Sequence, residues 1–524
     1  MRIRNSMLVA LIILWLTPTL AACGITTGSQ TGLTVLAGSE LQDLEPFLAQ
    51  IRDNTGVSLN MRYVGTLDGT EMLMAGEDVD LAWFSHAKYL SILEGVNNRI
   101  VAQESIMLSP VILGVKESNA RDWGWIDNPD LSWSDIAAKA DRGELRYAMT
   151  NPVSSNTGFT ALVGVAAALS GTADALQVDD INSDALQTFF KGQALTAGSS
   201  GWLAESYVRQ QDELNGMINY ESILLELNQS GQLTEPFYLV YPKEGIITAD
   251  YPLMLINSAE REKYDSLVAY LRSPEFQRIL MERTLRRPVI PEVALSSQFP
   301  DQLLIELPFP NSVEVIDTLL LNYLNEQRIP SHAFFVLDVS GSMGGDRLED
   351  LQTALRNLTG VDQSLTGRFS RFHDRERVTL IPFSSRVQDI RHFEIDDSDS
   401  ESTSMEEIRA YVERLEAAGG TAIYSSLQEA YRLAAEAQQT DAERYYSVVL
   451  MTDGENNEGI SERQFLEFYQ SLPIEAQAIK TFPVLFGEAD SRAMQHLAET
   501  TGGRVFDARS ASLSVIFKQI RGYQ

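Results

Sequence analysis

Asp338, Ser340 and Ser342 place oxygen-bearing side chains at every second position, so in an extended segment all three point to the same side. Three hard oxygen groups converging in this way suit a small divalent cation, because Mg2+ takes few protein oxygens and keeps several waters. The chemistry this spacing points to is metal binding. The five histidines, His86, His332, His373, His392 and His496, lie far apart and show no zinc spacing.

The element that must present these oxygens is the run Ala333, Phe334, Phe335, Val336 and Leu337, which is apolar without alternation, as in a strand buried on both faces of a parallel sheet. Leu348, Leu351, Leu355 and Leu358 then recur at helical spacing and predict a helix over 346–358. Val378 to Phe383 reads as a second strand. Ser447 to Thr452 is another buried strand and ends in a carboxylate, Asp453. Thr481 to Phe486 and Arg504 to Phe506 read as late strands, and Ala511 to Ile520 as a last amphipathic helix. Gly419, Gly420 and Thr421 precede a helical pattern carrying Leu427, Ala430, Tyr431 and Ala434 on one face.

Taken in order, these three loops resemble the metal-ion-dependent adhesion site of von Willebrand factor A (VWA) domains. Asp338-Val339-Ser340-Gly341-Ser342 matches the D-x-S-x-S pattern of the first loop, Thr421 the second and Asp453 the third. The resemblance implies a doubly wound, Rossmann-like α/β domain over residues 331–524, with Asp338, Thr421 and Asp453 at the carboxyl ends of the strands, where open α/β sheets bind ligands. It further implies that Ser340, Ser342 and Thr421 coordinate the cation through hydroxyls, while Asp338 and Asp453 act mainly through metal-bound waters. Neutral inner ligands leave the cation's charge poorly quenched and one position open, which an acidic residue of a protein partner completes. Mg2+ is the expected metal, and Mn2+ and Ca2+ use the same oxygen ligands. Glu455 and Asn456 read as turn residues, and the acidic run Glu394 to Glu401 as a solvated loop, since it lacks the glycine turn and closing glutamate of a calcium loop.

Upstream, strands and helices alternate: Leu33 to Ala37, Ser58 to Val64, Val79 to Phe84 and Pro110 to Val115 read as strands, and Phe159 to Leu169 as an apolar helix, predicting an α/β layer architecture. Gly38-Ser39, the strand end at Asp78 to Ser85, Ser154 to Phe159, Gly216 to Ser222 and Phe237 to Pro242 together resemble two-lobed type II periplasmic solute-binding proteins, over residues 33–295. In that family the first and last thirds form one lobe, the middle forms the other, and solute lies between them. Hydroxyls and backbone N–H groups at helix starts suit an oxyanion there. Ser39, Ser85, Ser154, Ser155 and Thr157 sit at positions to supply them, or else to cap helices. Glu40 beside Ser39 and the bulky Trp83-Phe84 before Ser85 depart from an oxyanion binder. Some members of this fold have lost ligand binding and serve as interaction platforms. Residues 296–330 form a connecting segment whose Val313, Val315, Ile316, Leu319, Leu320 and Tyr323 make an apolar face for packing.

The chain opens with Arg2 and Arg4, an apolar run from Met7 to Leu16 and then Leu20-Ala21-Ala22-Cys23, which holds the only cysteine. A charged start, a short apolar run and small residues describe a signal peptide, over residues 1–22. The last four residues resemble the bacterial lipobox, implying lipidation at Cys23, a polar tether over 23–32 and an extracytoplasmic, membrane-anchored protein. With Gly24 after the cysteine, the outer membrane is the expected destination in a two-membrane bacterium. A net charge of −31 over 524 residues argues against nucleic acid as a partner. No G-x-x-x-x-G-K-[ST], G-x-S-x-G or H-E-x-x-H pattern occurs, so the expectation is a binding protein rather than an enzyme. The reading is a surface lipoprotein with a metal-dependent protein-binding domain coupled to a solute-binding-like module. The alternative is the capture subunit of an ABC importer with an accessory VWA domain.

Overall fold

The computed structural model describes residues 32–300, 302–509 and 511–524. The segment expected as a signal peptide, Cys23 and all of the expected tether except Gly32 lie outside the described residues. Among those described, no helix is long and apolar enough to cross a membrane.

Three sheets carry the molecule. The first has five strands in the order Leu59–Val64, Leu33–Gly38, Leu81–Trp83, Pro252–Leu255 and Ala102–Ser105. The chain leaves this sheet after residue 105 and returns to it at 252, so the first and last parts of the region share one lobe. The second, seven-stranded sheet is built around the long strand Met107–Lys116, which pairs with Gly216–Tyr220, Phe237–Val240, Thr248–Ala249 and Arg287–Pro288. Tyr147–Thr150 and Gln193–Ala197 extend it. The apolar helix runs over Asn156–Ser170, buried along most of its length.

The third sheet has the order Arg391–Glu394, Arg377–Phe383, Ser331–Asp338, Tyr445–Thr452, Lys480–Leu485 and Phe506–Asp507. All neighbours are parallel except the edge strand Arg391–Glu394. Strand alternation sends successive residues of the central strand into two different cores. Ala333, Phe335 and Leu337 pack with Leu351, Leu355 and Phe517 on one side, while Phe334 and Val336 pack with Leu427, Tyr431 and Phe465 on the other. Helices on both faces explain why the strand sequence is apolar throughout.

Several predicted elements end differently; the strand expected over 79–84, for example, is the three-residue Leu81–Trp83. The helix begun at Asp346 gives way after Arg356 to a wider turn containing Gly360 at φ +82°. The last strand is the two-residue Phe506–Asp507 rather than 504–506. Of the acidic run Glu394 to Glu401 expected as a loop, Glu394 closes the edge strand Arg391–Glu394 and the rest lies in a loop over 395–402. The connecting segment holds the helix Val313–Asn322, whose Val315, Ile316, Leu319 and Leu320 are buried. Tyr323 follows it, its ring 5.0 Å from that of Phe190 and its hydroxyl donating to Gln193.

The carboxyl-terminal domain leans on both lobes. Thr366 donates its backbone N–H to Glu71 of the first lobe at 2.9 Å. Tyr523, beyond the last helix Leu513–Arg521, sets its ring 4.9 Å from Trp202 of the second lobe, and Asn151 donates to the carbonyl of Arg521.

Candidate functional site

The candidate metal site forms where three loops meet at the carboxyl edge of the third sheet. Ser331–Asp338 and Tyr445–Thr452 are adjacent parallel strands, so Asp338 and Asp453 emerge side by side. Both are buried, at 0% and 1% exposure. Asp338 accepts from the backbone N–H of Ser340 at 2.8 Å and from the hydroxyl of Thr452 at 2.6 Å, fixing both of its oxygens. Ser342 donates to Asp453 at 2.8 Å, and the Ser340 and Ser342 hydroxyl oxygens lie 3.0 Å apart.

The second loop is stitched to the other two by its backbone. Gly341 donates to the carbonyl of Gly419 at 3.0 Å. Thr421 accepts at its carbonyl from Asn457 and Glu458 and donates its N–H to the Asn457 side chain at 2.7 Å. The Thr421 and Ser342 hydroxyl oxygens both face Gly454, at 3.9 and 4.0 Å from where its Cβ would stand. The structure therefore brings Asp338, Ser340, Ser342, Thr421 and Asp453 to one locus.

This donor set fits a hard dication. Adjacent vertices of a Mg2+ octahedron with bonds of about 2.0–2.1 Å lie about 2.9 Å apart, close to the separation of the two serine oxygens. Burial pushes the Asp338 carboxyl up, hydrogen bonds from Thr452 and Ser340 hold it down, and repulsion from Asp453 adds to the rise. A dication would relieve that repulsion. Among the described residues no group of three or more His, Cys, Asp or Glu side chains is placed to hold a metal ion. Asn456 acts as the turn residue expected, accepting from the N–H of Tyr424 and donating to the carbonyl of Ile460.

The five hydroxyl residues of the first region separate into three settings. Ser39 and Ser154 line a cavity of about 520 Å3 that also touches Asp68, Arg504, Lys518 and Tyr523. Both lobes and the carboxyl-terminal domain thus share its wall, and the Ser154 side chain abuts Gly522. Ser155 holds the residue before the helix Asn156–Ser170 without capping it through its side chain. Ser85 and Thr157 are buried deeper, their hydroxyls without hydrogen-bond partners. Both neighbour the phenol of Tyr220, whose pKa burial pushes well up.

The neighbouring donors Asn156 and Tyr220 meet a carboxylate of the protein itself. Glu40 turns back over Gly38, where a Cβ would stand 2.6 Å from its Oε1, and accepts from Asn156 at 2.9 Å and from Tyr220 at 3.4 Å. Burial pushes the Glu40 carboxyl up, with the Asn156 hydrogen bond opposing. Arg286 donates to the Glu40 carbonyl and pairs with Asp43, its guanidinium 4.9 Å from the ring of Tyr251. Asn156, Tyr220, Tyr251 and Arg286 belong to this cleft and carry no short-range signal that singles them out. Glu40 does, as a carboxylate set among presumptive anion donors.

Residues 33–283 match the family model described as bacterial extracellular solute-binding protein, and residues 334–519 match that of the von Willebrand factor type A domain. The chain thus joins a solute-binding domain to a VWA domain, both α/β. A curated relative, the uncharacterized protein sll0103 of Synechocystis sp., is 30% identical over 139 residues, so the alignment covers 26% of this chain and 29% of that relative's length. Among solved structures, the periplasmic binding protein AfuA from Actinobacillus pleuropneumoniae is 14% identical, with 56% of this chain and 98% of that chain covered at a TM-score of 0.43. The ferric binding protein from Campylobacter jejuni is 14% identical with the same coverage and a TM-score of 0.45. A von Willebrand factor type A protein from Catenulispora acidiphila is 16% identical, with 37% and 43% covered and a TM-score of 0.30.

Proposed function

We propose that this chain, a solute-binding domain joined to a VWA domain, is an extracytoplasmic surface lipoprotein, anchored through Cys23, that binds a protein partner through a divalent cation. The observation that carries the reading is the continuous contact from Ser340 to Ser342 to Asp453 across two adjacent strand ends, with Thr421 facing the same glycine. Ser340, Ser342 and Thr421 would hold the cation, and Asp338 and Asp453 would orient its waters. The cation supplies Lewis-acid attraction for a partner's carboxylate, and the neutral hydroxyls leave that attraction little quenched. The role is binding rather than catalysis.

The solute-binding half, in this reading, serves as a platform. Asn156 and Tyr220 in its cleft already engage Glu40, and the VWA domain contacts both lobes. The partnerless hydroxyls of Ser85 and Thr157 favour a second reading, capture of a small solute for an ABC importer. Affinity capture of envelope proteins in Mg2+ and in EDTA, beside a filter-binding assay with sulfate, phosphate and molybdate, separates the two. Metal-dependent capture that Ser342→Ala abolishes is expected, and tight solute binding without any metal-dependent partner would establish the importer instead.

A further inference from the structure

The helix Asp346–Arg356 begins just after the first metal loop, and its second residue is Arg347. A cation in the first turn opposes the helix dipole, so helix formation does not account for an arginine there. Its guanidinium instead reaches out of the helix to two carboxylates. Nη1 donates to Oδ2 of Asp453, whose side chain is fully buried, and Nη2 lies 3.0 Å from Glu488, whose side chain is 79% exposed. Gly487, at φ +52°, leaves room for this arrangement: a Cβ there would stand 2.9 Å from the guanidinium carbon and 3.1 Å from Cβ of Asp453. The other oxygen of Asp453 accepts from Ser342.

We propose that Arg347 is a tethered cation that competes with the dication for Asp453, and that Glu488 is the station to which it withdraws when the metal enters. This rests on the reading that the three loops hold a dication. With Arg347 on Asp453, the site already carries a positive charge against one of its two carboxylates, and a dication arriving beside it meets repulsion. With Arg347 drawn out to Glu488, Asp453 is free to orient metal-bound water, and the guanidinium keeps a counter-ion in solvent. Metal occupancy, and with it partner binding, is thereby set below what the oxygen ligands alone would give. An acidic partner gains a second means of control, because its carboxylates attract the same guanidinium.

The test is titration of the full chain, freed of metal with EDTA and dialysed, with Mn2+ read by electron paramagnetic resonance and with Mg2+ by calorimetry. Arg347→Gln is expected to raise Mn2+ affinity by about tenfold. Glu488→Gln is expected to lower it, and to have a much smaller effect in an Arg347→Gln background, where there is no guanidinium left to relocate. Arg347→Lys, which keeps the charge but not the fork, falls between wild type and Arg347→Gln. Melting in EDTA verifies that each variant is folded. If wild type binds the ion, Asp453→Asn abolishes binding, and Arg347→Gln binds no more tightly than wild type, the metal site stands and the competing role of Arg347 is wrong. If neither wild type nor Arg347→Gln binds any dication, the metal site itself is wrong and the competition falls with it.

Discussion

Ser342 donates a 2.8 Å hydrogen bond to Asp453, 111 positions further along the chain. The bond joins loops that leave two adjacent parallel strands, so the sheet register sets its geometry. Ser342→Ala and Asp453→Asn should each lower Mg2+ and Mn2+ affinity by about tenfold or more, a loss on the order of 1.4 kcal/mol per tenfold. Because an ion that binds only the folded state stabilises it by about 2.7 kcal/mol at a hundred times its dissociation constant, and by about half that at ten times, saturating Mg2+ should raise the melting temperature of wild type by at least about twice as much as that of Asp453→Asn. A wild-type protein indifferent to both Mg2+ and EDTA would count against the site.

Glu376 anchors the opposite end of the same domain. It pairs with Arg328, just before the central strand, and with Arg521, at the end of the last helix, at 2.7 Å, and it accepts from Ser331 and from the backbone of His373. Burial alone would raise its carboxyl, but the two guanidiniums hold it at about 2, against an ordinary 4.5. A carboxyl with a depressed folded-state pKa stabilises fully above its unfolded value, and that contribution fades as pH falls from about 4.5 to about 2. Glu376→Gln leaves two buried arginines without a counter-ion and should cost about 3–5 kcal/mol in urea unfolding at pH 7. Its stability should also lose much of the wild-type fall between pH 4.5 and 2.

Lys480 carries a penalty where Glu376 gives a gain, although stability again rises with pH. It is buried where the VWA domain meets the second lobe, its Nζ without a hydrogen-bond partner and 5.2 Å from the ring of Trp202. Burial, aided by the charge of Arg209, pushes its ammonium down to about 7 from 10.5. Between those values the unfolded chain holds a proton that the folded chain has released, so stability should climb with pH across this window and carry its full penalty below about 7. Lys480→Met should flatten that slope and raise the melting temperature at neutral pH. A wild-type profile that is flat from pH 7 to 10 would show the ammonium to be solvated after all.

Glu40 is 116 positions from Asn156, yet its carboxylate takes the hydrogen bond that an oxyanion in the cleft would take. Calorimetry with sulfate should detect no binding to wild type at neutral pH, and Glu40→Ala should gain measurable affinity as Asn156 and Tyr220 are freed to join Ser85 and Thr157 as donors. Glu40→Gln, which preserves an acceptor for Asn156, should melt within about 0.5 kcal/mol of wild type or above it, since it no longer buries an ionisable group. Tight sulfate binding by wild type would assign the cleft to solute capture.

Much of this molecule was legible locally. The strand Ser331–Asp338, the buried strand before Asp453 and the apolar helix Asn156–Ser170 declare themselves by short-range apolar patterning, and the three loops that carry Ser340, Thr421 and Asp453 lie in a recognisable order. Less legible were element ends: the helix from Asp346 was expected to reach Leu358 but gives way after Arg356, because the chain turns there through Gly360 rather than at a break in the apolar pattern. The sequence sets the serines of the first region near a cleft, but whether each lines a cavity, precedes a helix or lies buried depends on neighbours far along the chain.

The amino-acid order by itself determined which segments become buried strands and helices, and which loops carry the oxygen-bearing side chains, because backbone sterics and burial act over a few neighbouring residues. Tertiary structure alone decided that Arg347 finds Asp453, 106 positions away, that Glu40 fills its own cleft, and that Tyr523 of the VWA domain rests on Trp202 of the second lobe. Hydrogen bonds and ring contacts act over a few ångströms of space, and separation along the chain says nothing about that distance until the sheets have set it.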